Sequence, residues 1–141
     1  MAPLHTARMK DLARSGQYDN VAFHRVIDGF MAQTGDVQYG DMEDGFNLRM
    51  AGTGSSDLPD LTAEFSKLPH DRGSLGAARS QNPDSANSQF FINFSDNSFL
   101  NGQYTVYGRV ISGMEHVDAI QLGEPAENPD RMISVKVAAD A

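Results

Sequence analysis

Apolar and polar positions follow one another in short segments, which predict a helix at the start of the chain and strands after it. Met9, Leu12 and Ala13 lie at helical spacing, and a Ser-Gly stop signal follows them. We therefore predict a helix over residues 2–16, with one apolar stripe that covers the rest of the fold. Residues 21–27 are β-branched and aromatic, which is the composition of a buried strand.

Turn signals divide the rest of the chain into further short segments. The predicted strands cover residues 30–34, 73–78, 90–94, 104–110 and 132–138, and residues 115–122 are predicted to form one or two helical turns. Gly, Asp, Ser and Asn dominate residues 36–61, which predicts a long surface loop of the kind that is often functional. Short strands at regular spacing with few helices indicate an antiparallel sandwich or barrel.

Length and charge narrow the classes of function. The chain has 141 residues, which predicts a single domain over residues 1–141. Its 11 Lys and Arg residues against 19 Asp and Glu residues give a net charge of -8, whereas nucleic-acid binding needs a basic surface. It has no cysteine, no apolar run of about 20 residues and no apolar segment like that of a signal peptide. We therefore expect a cytoplasmic protein that binds neither nucleic acid nor a membrane.

Arg25 is the unusual residue of the first predicted strand, because a charge among apolar residues is costly unless it is paired or faces a cleft. With a period of two, Phe23, Arg25 and Ile27 share one face of that strand. Two interpretations follow for the arginine. Either a core carboxylate or an edge position satisfies it, or it lines a binding cleft.

Apolar pairs at strand edges give a second indication of a cleft. Phe30-Met31 directly follows an Asp-Gly turn, and Phe99-Leu100 directly precedes Asn-Gly. Most phenylalanine and methionine side chains belong to the core, but residues at strand edges more often border a surface concavity. An apolar pocket with a few convergent polar groups is the usual form of a small binding site.

Other chemistries have weaker support. Gly52-Thr-Gly54 lacks the third glycine and the preceding strand of a dinucleotide-binding motif, so we predict a turn there. The four histidines have no ligand spacing and no Gly-x-Ser-x-Gly motif occurs, so we expect no metal, no cofactor and no hydrolytic triad. His24 is predicted to be a hydrogen-bonded core residue rather than a general base. The carboxylates lie mostly in loops, where turn formation and solubility explain them.

Three ordered blocks resemble the motifs of cyclophilins, which are peptidyl-prolyl cis-trans isomerases. Residues 23–36 read Phe-His-Arg-Val-Ile-Asp-Gly-Phe-Met-Ala-Gln-Thr-Gly-Asp and are similar to the family signature. Residues 88–93 read Ser-Gln-Phe-Phe-Ile-Asn, and Phe-Leu-Asn-Gly at residues 99–102 is followed by Tyr-Gly-Arg-Val at residues 107–110. The resemblance covers nearly the whole chain, with the blocks in the family's order and spacing.

The resemblance implies a closed eight-stranded antiparallel barrel with two capping helices, and it implies proline-containing polypeptides as substrates. The catalytic arginine of the family falls on Arg25. The substrate-binding positions of the family fall on Phe30, Met31, Gln33, Ala78, Phe91, Phe99, Leu100 and Tyr104. The chain resembles bacterial members and lacks the β-hairpin that the family has before its first helix. Either its start is truncated, or the barrel lacks its first strands and has open edges.

Four departures from the family pattern bear on binding. Phe99 stands where many members have tryptophan, so weak cyclosporin binding is expected. Tyr104 replaces a histidine of the pocket rim, and Arg79 replaces an asparagine. Residues 37–51 form a longer loop than the family has at this place, and we assign it no function.

The residue types suit rotation about an X-Pro peptide bond, for which neither a nucleophile nor a cofactor is needed. The apolar residues would hold the proline ring, and Arg25 would donate a hydrogen bond to the proline nitrogen of the twisted bond. Gln33 would orient the peptide carbonyl. Two alternatives remain at this stage: a module that binds X-Pro segments without useful turnover, and a degenerate fragment that cannot fold alone.

Overall fold

Residues 2–140 are described by a computed structural model, in which helices and strands follow the predicted order. Helix α1 spans Pro3–Arg14 and helix α2 spans Met114–Asp118. The strands are β1 (Val21–Ala22), β2 (Arg25–Ile27), β3 (Met31–Thr34), β4 (Ser74–Ala77), β5 (Phe90–Asn93), β6 (Val106–Arg109) and β7 (Arg131–Met132). Short 3-10 turns lie at Ser98–Leu100 and Ala138–Asp140. The helix predicted over residues 2–16 is confirmed with shorter bounds, and the one predicted over residues 115–122 is confirmed but begins one residue earlier and ends at Asp118. The predicted strands over residues 30–34, 73–78, 90–94 and 104–110 are confirmed with shorter bounds.

The strands pair into two antiparallel sheets. Five of them form one sheet in the order β2-β3-β5-β4-β6, and β1 pairs with β7 in a two-stranded sheet. The prediction of a mainly β fold with two helices is confirmed. Within residues 2–140 the edge strands β2 and β6 are not paired with each other, so the closed eight-stranded barrel is not observed in this pairing and stays a prediction. No helix of this range is long and apolar enough to cross a membrane.

The strand predicted over residues 21–27 is interrupted in its middle. The amide of Phe23 donates to the carbonyl of Asp130 at 2.8 Å, and regular pairing with β3 resumes only at Arg25. Phe23 packs in the core of the larger sheet, whereas Ile27 packs in a different cluster, beside the candidate site. The prediction of one shared face is therefore confirmed for Arg25 and Ile27, which are two positions apart in the regular strand β2, and it is wrong for Phe23.

The strand predicted over residues 132–138 is confirmed only at Met132, which pairs with β1. The amide of Val135 donates to the carboxylate of Asp19 at 2.8 Å, and the chain ends the described range in the second 3-10 turn. A side-chain acceptor thus replaces the strand partner that the alternating pattern predicts. The rest of this predicted strand is wrong.

The larger sheet has two differently used faces, because successive side chains of a strand point to opposite sides. One face carries a buried cluster formed by Phe23, Val26, Ala32 and Ile92. Apolar side chains of helix α2, Met114 and Val117, pack against this cluster. The opposite face carries a second buried cluster formed by Met31, Phe91 and Leu100. This second cluster positions the candidate site.

Candidate active site

One row of residues crosses the larger sheet and carries both the polar and the apolar parts of the site. Arg25 in β2 faces Gln33 in β3, and Gln33 faces Phe91 in β5. Phe91 in turn faces Gly76 in β4, where an added Cβ would overlap the Phe91 ring. Glycine at this position therefore leaves room for the aromatic ring that forms the floor of the site.

This row borders a cavity of about 90 Å³ on the face opposite the core. The residues that line the cavity are Arg25, Phe30, Met31, Ala78, Arg79, Phe91, Leu100 and Tyr104. Met31, Phe91 and Leu100 are 1%, 5% and 8% exposed, so the floor is apolar and largely buried. The fold thus brings together residues from four separate segments of the sequence, 25–31, 78–79, 91 and 100–104. The two remaining candidates, Gln33 and Phe99, lie beside the cavity rather than in its lining.

Arg25 lies at the border of the cavity on an edge strand, with its side chain 38% exposed. Its Nε donates to the carboxylate of Glu124 at 2.9 Å, and its Nη1 donates to the side-chain oxygen of Gln33 at 3.1 Å. Both interpretations of the sequence hold in part, because the arginine has an edge position and a carboxylate partner and also borders a cavity. The partner is a loop residue and not a core residue. Sequence analysis missed Glu124, which is 99 positions away and belongs to no motif.

Amide side chains continue the hydrogen bonding away from Arg25. The Nε2 of Gln33 donates to the Oε1 of Gln89 at 3.0 Å. The Nε2 of Gln89 donates to the carbonyl of Gly54 at 2.9 Å. Two amide side chains therefore connect the guanidinium to the long loop, and they fix the orientation of Gln33 beside the cavity.

The long surface loop predicted over residues 36–61 is confirmed, because no strand of either sheet lies there. A buried carboxylate organises it by accepting hydrogen bonds from four backbone amides, namely those of Gln38, Tyr39, Gly52 and Gly54. That carboxylate belongs to Asp36, which is fully buried. Gly52 lies in a turn with a φ of +101°, as the Gly-Thr-Gly sequence predicts.

The rim of the cavity differs from its floor in exposure. Phe99 is 64% exposed, and its ring lies 5.7 Å from the ring of Phe30. The guanidinium of Arg79 lies 4.3 Å from the centroid of the Tyr104 ring, and its Nη2 donates to the carbonyl of Gln103 at 2.6 Å. A cation–π contact therefore holds the Tyr104 wall in place.

A buried polar cluster supports the floor of the cavity from below. The ring of His70 stacks on the ring of Phe91 with centroids 5.8 Å apart, and its Nε2 lies 3.1 Å from the carbonyl oxygen of Tyr104. Burial lowers the pKa of His70, which keeps the ring neutral. The side-chain amide of Asn93 donates to the hydroxyl of Ser74 at 2.9 Å. Sequence analysis missed this cluster, since isolated polar residues inside apolar segments form no pattern.

His24 is a buried residue, as predicted, but its predicted hydrogen bonding is wrong. Neither ring nitrogen has a hydrogen-bond partner within residues 2–140. Its Nε2 lies 3.1 Å from the place where a Cβ on Gly52 would stand, so the glycine allows close approach of the loop. Burial lowers the pKa of His24, and the ring is therefore neutral at pH 7.

Known proteins are similar to this chain over nearly its full length. The model of the family described as cyclophilin type peptidyl-prolyl cis-trans isomerase/CLD matches residues 1–139. A probable peptidyl-prolyl cis-trans isomerase of Brucella abortus (strain 2308) is 59% identical over 145 residues, covering 99% of this chain and 74% of the relative. A cyclophilin structure from Hirschia baltica has a TM-score of 0.83 at 25% identity, covering 99% of this chain and 67% of that chain. A Cryptosporidium parvum isomerase of the same type, crystallised with the dipeptide Ala-Pro, has a TM-score of 0.80 at 27% identity, covering 96% and 85%.

The β-rich fold and the cavity define a β-sheet protein with a small apolar pocket bordered by the guanidinium groups of Arg25 and Arg79. The similarity to known proteins identifies the family within this class. The chain belongs to the family of cyclophilin type peptidyl-prolyl cis-trans isomerases, and it is an isomerase of X-Pro peptide bonds.

Proposed function

We propose that the 90 Å³ cavity holds the proline ring of the substrate and that Arg25 is the catalytic residue. The observation that carries this proposal is the position of Arg25 at the border of an apolar cavity, with two nitrogens engaged and Nη2 without an acceptor among residues 2–140. A guanidinium has five N–H donors in one plane, so donors remain for a substrate. The floor residues Met31, Phe91 and Leu100 would contact the ring.

The chemistry requires stabilisation of a twisted amide and no covalent step. An X-Pro bond rotates over a barrier of roughly 18–20 kcal/mol because the amide is conjugated. In the twisted state the conjugation is lost, and the proline nitrogen gains a lone pair that can accept a hydrogen bond. A donor aimed at that nitrogen stabilises the transition state and leaves the planar ground state unaffected.

The size of the required effect is within reach of such a site. Lowering the barrier by about 7 kcal/mol accelerates rotation roughly 10⁵-fold, which takes an event of tens of seconds to below a millisecond. A charged donor is worth more beside an apolar surface than in water. Because the side chain of Arg25 is half-exposed, its stabilisation of the transition state is smaller than in a fully buried site. Binding of the proline ring in the cavity would supply the rest of the barrier reduction by orienting the peptide bond.

We further propose that the substrates are proline-containing segments of flexible polypeptides. The Cryptosporidium parvum relative was crystallised in the presence of the dipeptide Ala-Pro, which supports this class of ligand for the present chain. Phe99 and Gln33 would contact the peptide outside the ring, because both lie beside the cavity. Weak cyclosporin binding and a closed eight-stranded barrel stay predictions.

Exchange NMR spectroscopy on an Ala-Pro peptide tests the proposed function. We expect cross-peaks between the cis and trans forms to grow at substoichiometric protein, because catalysis shortens the exchange time below the mixing time. The matched control is the same peptide with the Gly76→Ala variant, whose floor is displaced by the added Cβ. Binding without faster exchange would identify a proline-binding module and contradict catalysis by this site.

A further inference from the structure

A loop over residues 123–126 lies along the edge of β2 that does not pair with β3, next to Arg25. The amide of Val26 donates to the carbonyl of Gly123 at 2.8 Å, and the amide of Gly123 donates back to the carbonyl of Val26 at 2.9 Å. The amide of Ala126 donates to the carbonyl of His24 at 3.1 Å. Three backbone hydrogen bonds therefore hold the loop on both sides of the position occupied by Arg25.

Glycine is needed at the start of this loop. Gly123 has a φ of +149°, and an added Cβ would lie 2.6 Å from the Cα of Ala126. No side chain fits that space without moving the backbone. The next residue, Glu124, is consequently held at a fixed distance from the edge strand, although its own side chain is exposed.

We propose that Glu124 is a positioning residue for the catalytic arginine. This inference rests on the proposed function of Arg25. The carboxylate of Glu124 binds Nε at 2.9 Å and the side chain of Gln33 binds Nη1 at 3.1 Å, so two different nitrogens of one planar group are fixed. With both contacts in place the plane of the guanidinium has one orientation, and the two N–H groups of Nη2 and the second N–H group of Nη1 remain for the substrate.

An arginine on an edge strand needs such a contact more than a buried one does. A long side chain that is 38% exposed has many rotamers, and ordering it has an entropic cost that must be met before the reaction or during it. Holding the donor in place beforehand removes that cost from the transition state. Glu124 is thus expected to act on turnover far more than on peptide binding.

The test compares three single variants by exchange spectroscopy and by peptide titration. Glu124→Ala should lower the catalysed exchange rate about tenfold while peptide affinity stays within about twofold, since a misplaced catalytic group costs up to about 10²-fold. Glu124→Gln keeps an oxygen acceptor, and it should restore part of the rate. Glu43→Ala is the matched control, because Glu43 binds Arg131 with nearly the same exposures, 61% and 38%, as the 60% and 38% of Glu124 and Arg25.

A direct readout of orientation comes from the Nε–H signal of Arg25 in ¹H–¹⁵N spectra. In the wild type the ion pair should slow exchange of this proton with water, and Glu124→Ala should accelerate it. In an Arg25→Ala background, Glu124→Ala should have no further effect on the rate, because the two residues act as one unit. Independent losses in this cycle would overturn the positioning role.

The outcomes separate this inference from the proposed function. A wild type that does not accelerate exchange overturns the role of Arg25 itself. An active wild type in which Glu124→Ala behaves like Glu43→Ala overturns only the role of Glu124. Thermal melting of each variant identifies loss of folding, and the nearly isosteric Glu124→Gln keeps the test decisive if Glu124→Ala does not fold.

Discussion

Arg25 and Gln33 are direct cross-strand partners, and the Nη1 of Arg25 donates to the side-chain oxygen of Gln33 at 3.1 Å. The register of two short strands therefore sets the position of the guanidinium beside the cavity. A slip of β2 by one residue would turn Arg25 to the core face of the sheet, whereas Gln33 would stay in place because β3 is also paired with β5. The backbone pairing of β2 with β3 is thus part of the site.

Replacing Arg25 by alanine should lower the catalysed rate about 10²- to 10³-fold, which is the usual loss when one donor to a transition state is removed. Peptide affinity should change little, because the hydrogen bond forms only in the twisted state. Exchange spectroscopy and peptide titration on the same variant separate the two quantities. A parallel loss of rate and affinity would make Arg25 a binding residue.

The Arg25→Lys variant tests whether the positive charge alone is sufficient for catalysis. Lysine keeps the positive charge but has a single nitrogen, so it cannot bind Glu124 and Gln33 while a further planar donor faces the cavity. We expect most of the rate to be lost in this variant too. Full activity of Arg25→Lys would indicate that charge alone is needed.

Gly76→Ala should destabilise the protein by about 2 kcal/mol, because the new methyl group overlaps the ring of Phe91 and the core must move. Gly108→Ala is the matched control in the neighbouring strand. A Cβ at Gly108 would lie 3.4 Å from Leu75 at its nearest approach, which the flexible side chain can accommodate. Urea unfolding of both variants measures the difference, and equal stabilities would contradict the assigned role of Gly76.

Some residues of the candidate site can be predicted from the sequence and others cannot. Phe30 and Phe91 belong to contiguous apolar blocks, so composition and family resemblance both pointed to them. Glu124 lies in a polar loop 99 positions from Arg25, and its meeting with that residue depends on backbone bonds to an edge strand. The stacking of His70 under the floor depends equally on long-range packing, which no local period encodes.

Prediction of the strand boundaries from the sequence is limited in the same way. Periodicity predicts that a run such as residues 21–27 continues as one strand, because it reports only the preference of each residue. The break at Phe23 arises from an acceptor on Asp130, far along the chain. In the strand predicted over residues 132–138, the carboxylate of Asp19 likewise accepts a hydrogen bond from the amide of Val135. Tertiary hydrogen bonds decided both outcomes.

Asp36→Asn should loosen the long loop without unfolding the sheets. The carboxylate of Asp36 accepts four backbone amides, and an asparagine side chain offers only one oxygen. Each oxygen accepts two of the four amides, and hydrogen bonds to a charged group contribute about 1.5–3 kcal/mol each, so losing one oxygen should lower the local stability by about 3–6 kcal/mol. Hydrogen exchange measures it at the amides of Gly52 and Gly54. Unchanged protection at both amides would contradict the role of Asp36.

Acidification should destabilise the protein through two of its buried histidines, His24 and His70. Burial lowers the pKa of His24 and of His70 below the ordinary value of 6.5, so the unfolded chain binds protons that the folded chain does not. The stability from these groups is therefore complete above about pH 6.5, and it falls as the pH drops below that value. Each histidine contributes up to about 1.4 kcal/mol per pH unit in the range between its two pKa values.

Replacing His24 by methionine isolates one of these contributions. Both ring nitrogens of His24 lack partners within residues 2–140, so an apolar side chain of similar length loses no hydrogen bond there. Urea unfolding at pH 5.5 and 7.5 should show a smaller loss of stability on acidification for His24→Met than for the wild type. His116→Gln is the control, because the side chain of His116 is 85% exposed. If His24→Met and the wild type lost equal stability between these pH values, protonation of His24 would not drive the acid sensitivity, and His70 alone would have to account for it.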